Sequence, residues 1–283
     1  MQQKLKLFLR VIRFYQPTGF LLLMWPAICS LFLASNNFPN YQILILFVLG
    51  SFFIRSAGCI INDIIDKDFD KYVARTKNRP IASGELTVRQ AMNFLFILLL
   101  GAFIILINFN RLAITIGFLA LLPIVIYPFL KRYIHFPQLF LGFTFNLGVI
   151  LAFAAINNNL SLAAFLFYGG CVFWTLGYDT IYAYQDITDD KILGLKSSAI
   201  KLGNSPKRYI YFFYLMFMFL TASALVLSNI NYQKLLFLLL PSIHILLQLK
   251  KFNPNDPTIC GNIFRSNGFT GFLLLIALIL IKL

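Results

Sequence analysis

Nine mostly apolar stretches follow one another along this chain, separated by polar segments: roughly Thr18 to Ala34, Tyr41 to Ile61, Gln90 to Ile107, Leu112 to Leu130, Gln138 to Ile156, Leu160 to Gly177, Tyr209 to Ser228, Leu235 to Leu249 and Gly268 to Leu283. A helix needs about 20 mostly apolar residues to cross the hydrocarbon core of a bilayer. The pattern therefore predicts an all-α, polytopic membrane bundle of about nine spans, the eighth and ninth short. The opening MQQKLKLFLRVIRF followed by an apolar run has the outline of a secretory signal. The run is long, lacks a small-x-small cleavage site and has eight successors, so it reads as a retained first span.

Composition agrees and narrows the class. Of 283 residues 59% are hydrophobic and only 12% charged, with a mean hydropathy of +0.79. A water-soluble domain carries about a quarter charged residues, which excludes a cytosolic globular enzyme, a disordered chain and a small disulfide scaffold. Cys29, Cys59, Cys171 and Cys260 are far apart and mostly within apolar runs, so they are expected to be buried free thiols. The formal charge is +14, from 24 Lys and Arg against 10 Asp and Glu. With the N-terminus cytoplasmic, only Arg111, Lys234 and Lys282 fall on the outer side, and Arg55 falls inside the second span. The excess is thus the positive-inside signal of a multi-pass protein and does not point to nucleic acid. Two of the inner loops, Asn62 to Arg89 and Asp179 to Arg208, are long and charged. Function is expected there, on loops held by the bundle.

The acids are distributed in a way that topology does not require. Asp63, Asp66, Asp68 and Asp70 lie in NDIIDKDFD, and Asp179, Asp186, Asp189 and Asp190 in YDTIYAYQDITDD; of the ten acids only Glu85 and Asp256 are elsewhere. Each group follows an even-numbered span, so both sit at the cytoplasmic mouth. If helix continues past the second span, Asn62, Asp66 and Asp70 recur at i, i+4 and i+8 on one face. Asp179, Tyr182, Asp186 and Asp190 recur at i, i+3, i+7 and i+11, again on one face. Stacked carboxylates destabilise a bare helix, and one such cluster alone would be ordinary solvated acids. Two on the same side suit a hard divalent cation such as Mg²⁺ shared with ligand phosphates. The interleaved Lys67, Lys71, Arg75, Lys77, Arg79, Lys191 and Lys196 suit diphosphate. Arg55, seven residues before Asn62, falls on the face of the acids, below them within the bundle, where a cation is costly unless it faces a polar cavity. It suits an anionic second substrate. A third basic patch, YPFLKRY, contains Tyr127, Lys131 and Arg132.

These patches together resemble the UbiA-type superfamily of intramembrane prenyltransferases. NDIIDKDFDKYVARTKNRPIASG is similar to its N-D-x-x-D-x-x-x-D signature with the R-T-x-x-R-P tail, YPFLK to its Y-x-x-x-K, and YDTIYAYQDITDD with GLKSSAIKLG to its second aspartate motif. RSAGCIINDIID, YPFLKRYIHFPQ and GYDTIYAYQD resemble most the 4-hydroxybenzoate polyprenyltransferase branch. The resemblance implies a single intramembrane domain over 1–283, with related halves at about 14–130 and 138–249 and a final helix at about 268–283. It implies that Asn62, Asp66, Asp70, Asp186 and Asp190 hold Mg²⁺ and a polyprenyl diphosphate, with Asp63 a further motif member in the metal set and Asp179 and Tyr182 on the substrate side. Arg75, Arg79, Lys131 and Lys196 are implied diphosphate contacts, Tyr127 lies nearby, and either Arg55 or Arg132 receives the carboxylate of 4-hydroxybenzoate. Thr188 departs from the pattern, standing where relatives often carry another acid. The implied reaction is transfer of the prenyl group to the ring carbon ortho to the hydroxyl, with release of diphosphate, in ubiquinone biosynthesis at a bacterial inner membrane with the site open to the cytoplasm. Two rivals share parts of this pattern: a sibling enzyme using a naphthoate, homogentisate or haem, and a cation-coupled transporter. Against the transporter, the acids gather at one membrane face and no pair of interrupted spans is expected.

Overall fold

The computed structural model describes residues 2–130, 132–203 and 205–283; Lys131 lies outside them. Among the described residues every regular element is helical: α1 (Gln2–Val11), α2 (Thr18–Ala34), α3 (Tyr41–Asp70), α4 (Val88–Leu106), α5 (Arg111–Leu119), α6 (Leu121–Leu130), α7 (Pro137–Phe145), α8 (Leu147–Asn157), α9 (Leu162–Ala183), α10 (Ile187–Ile192), α11 (Ser198–Leu202), α12 (Lys207–Leu227), α13 (Leu239–Lys251) and α14 (Pro257–Lys282). A 3₁₀ segment, Tyr232–Leu238, leads into α13. Side-chain caps mark many of the starts: Asn40 on α3, a Thr87/Gln90 capping box on α4, Asn110 on α5, Ser161 on α9 and Asp256 on α14. Each satisfies amide donors that a helix start leaves open.

Seven segments are long and apolar enough to cross a membrane: α3, α4, α5 with α6, α7 with α8, α12, the 3₁₀ segment with α13, and α14. The first and sixth expected spans fall outside that set. α2 has 17 residues, and the second half of α9 carries Gly177, Tyr178, Asp179 and Tyr182. α2 and the second half of α9 are packed in the interior, where other helices supply their surroundings. α9 buries Phe167, Cys171, Trp174 and Ile181 against α12, α7 and α14, and Trp174 stacks on Phe217 of α12 with ring centroids 5.1 Å apart. Elsewhere α4 to α6 expose Phe96, Ile97, Leu119 and Leu122, an apolar surface that a bilayer covers. All four cysteines are buried and free, as expected.

Two expected spans are interrupted, which corrects the reading of them as uninterrupted. The fourth breaks at Ala120, between α5 and α6, where Pro123 cannot donate to the Leu119 carbonyl four residues back. The fifth breaks at Asn146, whose buried Nδ2 donates to the carbonyls of Gly142 (2.8 Å) and Cys171 (3.2 Å) and to Thr175 Oγ1 (2.9 Å). An amide tied to its own helix and to α9 fixes a bend there. The 3₁₀ entry to α13 precedes Pro241, which cannot donate to the Phe237 carbonyl four residues back; that carbonyl accepts instead from the Leu239 amide.

Polar side chains inside the bundle are bonded to one another. Asn267 of α14 accepts from Trp174 Nε1 (2.9 Å) and Tyr214 OH (3.2 Å), and donates to Gln248 Oε1 (3.3 Å). Replacing Asn267 by Leu leaves both donors without that acceptor in a site shut off from water. We expect this to destabilise the protein by about 1 to 3 kcal/mol, read as a lower thermal midpoint in detergent, with no change in substrate KM.

Candidate active site

One end of the bundle opens into a cavity of about 840 Å³. Its rim and walls come from the start of α2, the second half of α3, the loop 71–87, α6, α7, and the segment running from the end of α9 into α10. The expected face of α3 exists because the helix continues to Asp70. Arg55, Asn62, Asp63, Asp66 and Asp70 all line the cavity, together with Arg75, Arg79, Tyr127, Asp179, Tyr182, Asp186, Asp190 and Lys196. Asp68, on the opposite face, is exposed and pairs with Lys71 at 3.0 Å.

The second acidic motif reaches the cavity by a different path from the one its spacing predicts. α9 stops at Ala183, and Tyr184, Gln185 and Asp186 turn through short bonds to Ile181, Tyr182 and Ala183 carbonyls before α10 begins. Asp186 therefore stands at the N-terminal cap position of a short helix. Asp179, Tyr182, Asp186 and Asp190 still share the cavity, but not one continuous helix face.

Arginines hold the two motifs together. Arg79 Nη1 reaches Asp63 Oδ1 at 3.2 Å and Asp70 Oδ2 at 2.8 Å. Arg75 crosses to the second motif, with Nε 2.9 Å from Asp186 Oδ1 and Nη2 bonded to Oδ2, and its guanidinium lies 5.0 Å from the Tyr182 ring centroid. The Ala74 amide donates to Asp189 Oδ2 at 3.0 Å. Burial alone would lower the Arg75 pKa, but the hydrogen-bonded Asp186 carboxylate outweighs it and holds it above the usual arginine value. The loop that presents these arginines is clipped to α1 by Arg10 and Glu85, 2.6 Å apart, and turns at Gly84, where φ is +81°, a conformation that glycine adopts at no steric cost.

The two candidates for the second anion are in different settings. Arg55 lines the cavity, half-buried, 5.6 Å from the Phe145 ring centroid. Gly19 leaves it room: a Cβ there would lie 2.7 Å from Arg55 Nε and 2.9 Å from Cζ. Arg132 is not among the lining residues. Its guanidinium lies over Phe69 (4.7 Å) and Phe129 (5.4 Å), donates to the Ile65 carbonyl (3.2 Å) and comes within 4.0 Å of Asp66 Oδ1. It braces the last turns of α3. Lys196 lines the cavity and donates to the Tyr133 carbonyl at 2.9 Å.

Arg13 is a site residue that the sequence reading misses. It lines the cavity and pairs with Asp63 at 2.6 Å, held by a left-handed backbone, φ +57°, just after α1. In the sequence it is one more cation of an inside flank, and nothing local marks a bond 50 residues away. Between Arg13 and Arg79, Asp63 is 2% exposed and doubly paired.

Among the described residues, no three His, Cys, Asp or Glu side chains converge closely enough to cage a metal by themselves. The donors around the cavity are nevertheless the right kind for Mg²⁺. They are carboxylate and amide oxygens, and Mg²⁺ is usually held by one or two carboxylates plus substrate phosphate rather than by an all-protein cage. Asn62, Asp66, Asp70, Asp186 and Asp190, facing one cavity with arginines beside them, fit that mode.

Comparisons with known proteins bear on the family and the fold. The model of the UbiA prenyltransferase family matches residues 23–277. The 4-hydroxybenzoate octaprenyltransferase of Francisella tularensis subsp. novicida (strain U112) is 38% identical over 279 residues, 97% of each chain. A UbiA homologue from Aeropyrum pernix K1 superposes with a TM-score of 0.75 at 21% identity, covering 95% of this chain and 99% of that one. One from Archaeoglobus fulgidus, solved bound to GPP and Mg²⁺, gives 0.70 at 17% identity, covering 98% and 99%.

Proposed function

Since this chain belongs to the UbiA prenyltransferase family, we propose that its cavity carries out the transfer of a polyprenyl group from polyprenyl diphosphate to the carbon ortho to the hydroxyl of 4-hydroxybenzoate, with Mg²⁺ and release of diphosphate. The observation that carries the reading is one cavity with acids and arginines at its mouth and a single arginine, Arg55, on its α3 wall seven residues below Asn62. The near full-length relative bearing that activity in its name supports the choice of acceptor. The protein is an integral, multi-pass membrane protein, and the positive-inside rule orients it with the N-terminus and the cavity mouth toward the cytoplasm of a bacterial inner membrane.

In this reading Asn62, Asp66, Asp70, Asp186 and Asp190 would hold Mg²⁺ beside the diphosphate. When bound, the cation supplies Lewis-acid withdrawal of charge from the leaving group. Arg75, Arg79 and Lys196, with Lys131 by its place in the motif, neutralise the remaining phosphate charge, so the allylic C–O bond can ionise. Arg75 and Arg79 hold carboxylates in this structure. With those carboxylates engaged by a cation, Arg75 and Arg79 would be free to turn to phosphate. Arg55 grips the acceptor carboxylate and fixes which ring carbon meets the allylic cation, an orientation effect. Phe145, Leu22, Ile54 and Leu141 line the cavity and keep water from that cation. The ring proton leaves to a carboxylate of the same wall or to a diphosphate oxygen. Asp63, held by Arg13 and Arg79, shapes the site without ligating.

The pseudo-repeat implied by family resemblance suits this arrangement: the second span of each half, α3 and α9, delivers one acidic motif to the mouth. The transporter rival retains the two interrupted spans, but neither Ala120 nor Asn146 lines the cavity. Purified protein with 4-hydroxybenzoate, Mg²⁺ and prenyl diphosphates of several lengths tests the reading. Prenylated 4-hydroxybenzoate and stoichiometric diphosphate are expected. Selective use of a naphthoate, homogentisate or haem would move the chain to a sibling activity.

A further inference from the structure

The far end of the bundle has a cavity of its own, of about 670 Å³. It lies where α2, α12 and α14 end and α9 begins, a full helix length from the acidic mouth. Two lysines line it, Lys234 of the 3₁₀ segment and Lys282 of α14, both half-buried. They are two of the three cations that the sequence places at this end of the protein. Each donates to carbonyls at a helix end: Lys234 Nζ to Ile281 O at 2.9 Å, Lys282 Nζ to Ser35 O and, at 3.4 Å, Asn36 O. Helix C-termini carry only partial negative charge, so these bonds orient the ammonium groups without cancelling their charge.

No carboxylate side chain does so either. The ten acids are all at the other end: those between Asp63 and Glu85 and between Asp179 and Asp190 surround the mouth, and Asp256 caps the start of α14, whose opposite end reaches this cavity. Among the described residues neither lysine is within ion-pair distance of a carboxylate. Two like charges in one half-buried cavity repel, and an ammonium retains donors after one or two bonds. The rest of the wall has two characters. Asn157 and Ser228 are polar, whereas Leu33, Phe153 and Leu227 are apolar. At the ends of membrane-spanning helices, where the headgroups of one leaflet lie, such a wall fits a phosphate with hydrocarbon attached.

We propose that this cavity binds a phosphate anion between Lys234 and Lys282, supplied by the headgroup of an anionic phospholipid of that leaflet. Free inorganic phosphate has the same binding chemistry and is the other possible source. The site is separate from the diphosphate cavity, and its occupant bridges α2, the α12 end and α14.

Native mass spectrometry of the purified full-length protein, titrated with phosphatidylglycerol and with diacylglycerol, tests this, alongside calorimetry with inorganic phosphate. Phosphatidylglycerol is expected to be retained and diacylglycerol, which has no phosphate, is not. Lys234→Gln and Lys282→Gln should each weaken phosphatidylglycerol binding about fivefold, the value of one lysine near an anionic lipid surface. Asn229→Asp adds a carboxylate to the same wall while leaving both lysines and their helix-end bonds in place, and should weaken binding similarly. It decides the matter if the double variant, with Lys234 and Lys282 both replaced by Gln, fails to fold. Binding of inorganic phosphate with the same lysine dependence, and no retention of phosphatidylglycerol, would keep the anion site and assign it to free phosphate. Equal retention of diacylglycerol, or unchanged affinity for both anions in Asn229→Asp or in a folded double lysine variant, overturns the proposal and leaves the lysines as helix caps alone.

Discussion

Asp186→Asn and Asp66→Asn are each expected to lower turnover roughly a thousandfold or more, the scale of losing a group that stabilises charge in the transition state. The substitutions keep volume and shape and remove one negative charge from the cation's donor set. Their structural costs differ, which makes the pair informative. Asp186 is partly exposed, and Asn keeps an oxygen that can accept from Arg75, whose side chain is 36% exposed, so stability should change little. Asp66 is 2% exposed beside Arg132, and its replacement should cost some stability as well as activity. If both acids hold Mg²⁺, both variants lose turnover while only the second melts earlier, and the Mg²⁺ concentration needed for residual diphosphate release rises in each. Near-normal turnover in either variant at ordinary Mg²⁺ would remove that residue from the metal set. Loss of activity that tracks the thermal midpoint would make its role structural.

These residues could be found from sequence because of the local geometry that carries them. On α3 the helix runs unbroken from Tyr41 to Asp70, so residue spacing translates directly into a shared face, and Arg55, Asn62, Asp66 and Asp70 fall where a 3.6-residue period puts them. The second motif was legible as a group but not in form. Helical spacing describes Asp179 and Tyr182, then the chain turns at Tyr184 to Asp186, a break with no proline or glycine to announce it. The break at Asn146 was equally silent, since its cause is a hydrogen bond to Thr175 on another helix. Pro123 and Pro241 did carry a signal, overridden by the apolar run around them. Arg13 was out of reach for the same reason as Asn146: its partner is Asp63, and only the packing of α1 against α3 brings the two together. Periodicity thus recovers sites built along one helix. It does not recover contacts made between helices, which here include the pairing of Lys234 and Lys282 around one cavity.

Arg55→Ala is expected to raise the KM for 4-hydroxybenzoate roughly a hundredfold, about 3 kcal/mol, as for truncating one partner of a buried charge pair, while the KM for prenyl diphosphate changes little. The split follows from position: Arg55 is one of two arginines that could meet the acceptor, and it alone of the two lines the cavity. Arg132 is engaged by Phe69, Phe129 and the Ile65 carbonyl, so Arg132→Ala should lower kcat and stability by loosening α3 without the same selective rise in KM. Two further measurements separate carboxylate binding from a packing effect. An acceptor with an uncharged amide in place of the carboxylate should lose far less between wild type and Arg55→Ala, because the interaction removed is with the charge. Gly19→Ala should raise the acceptor KM in the same direction with little loss of stability, since the atoms nearest the new Cβ are at the movable end of the Arg55 side chain. A larger rise in the KM for prenyl diphosphate than for 4-hydroxybenzoate would place Arg55 at the diphosphate instead and return the acceptor to Arg132.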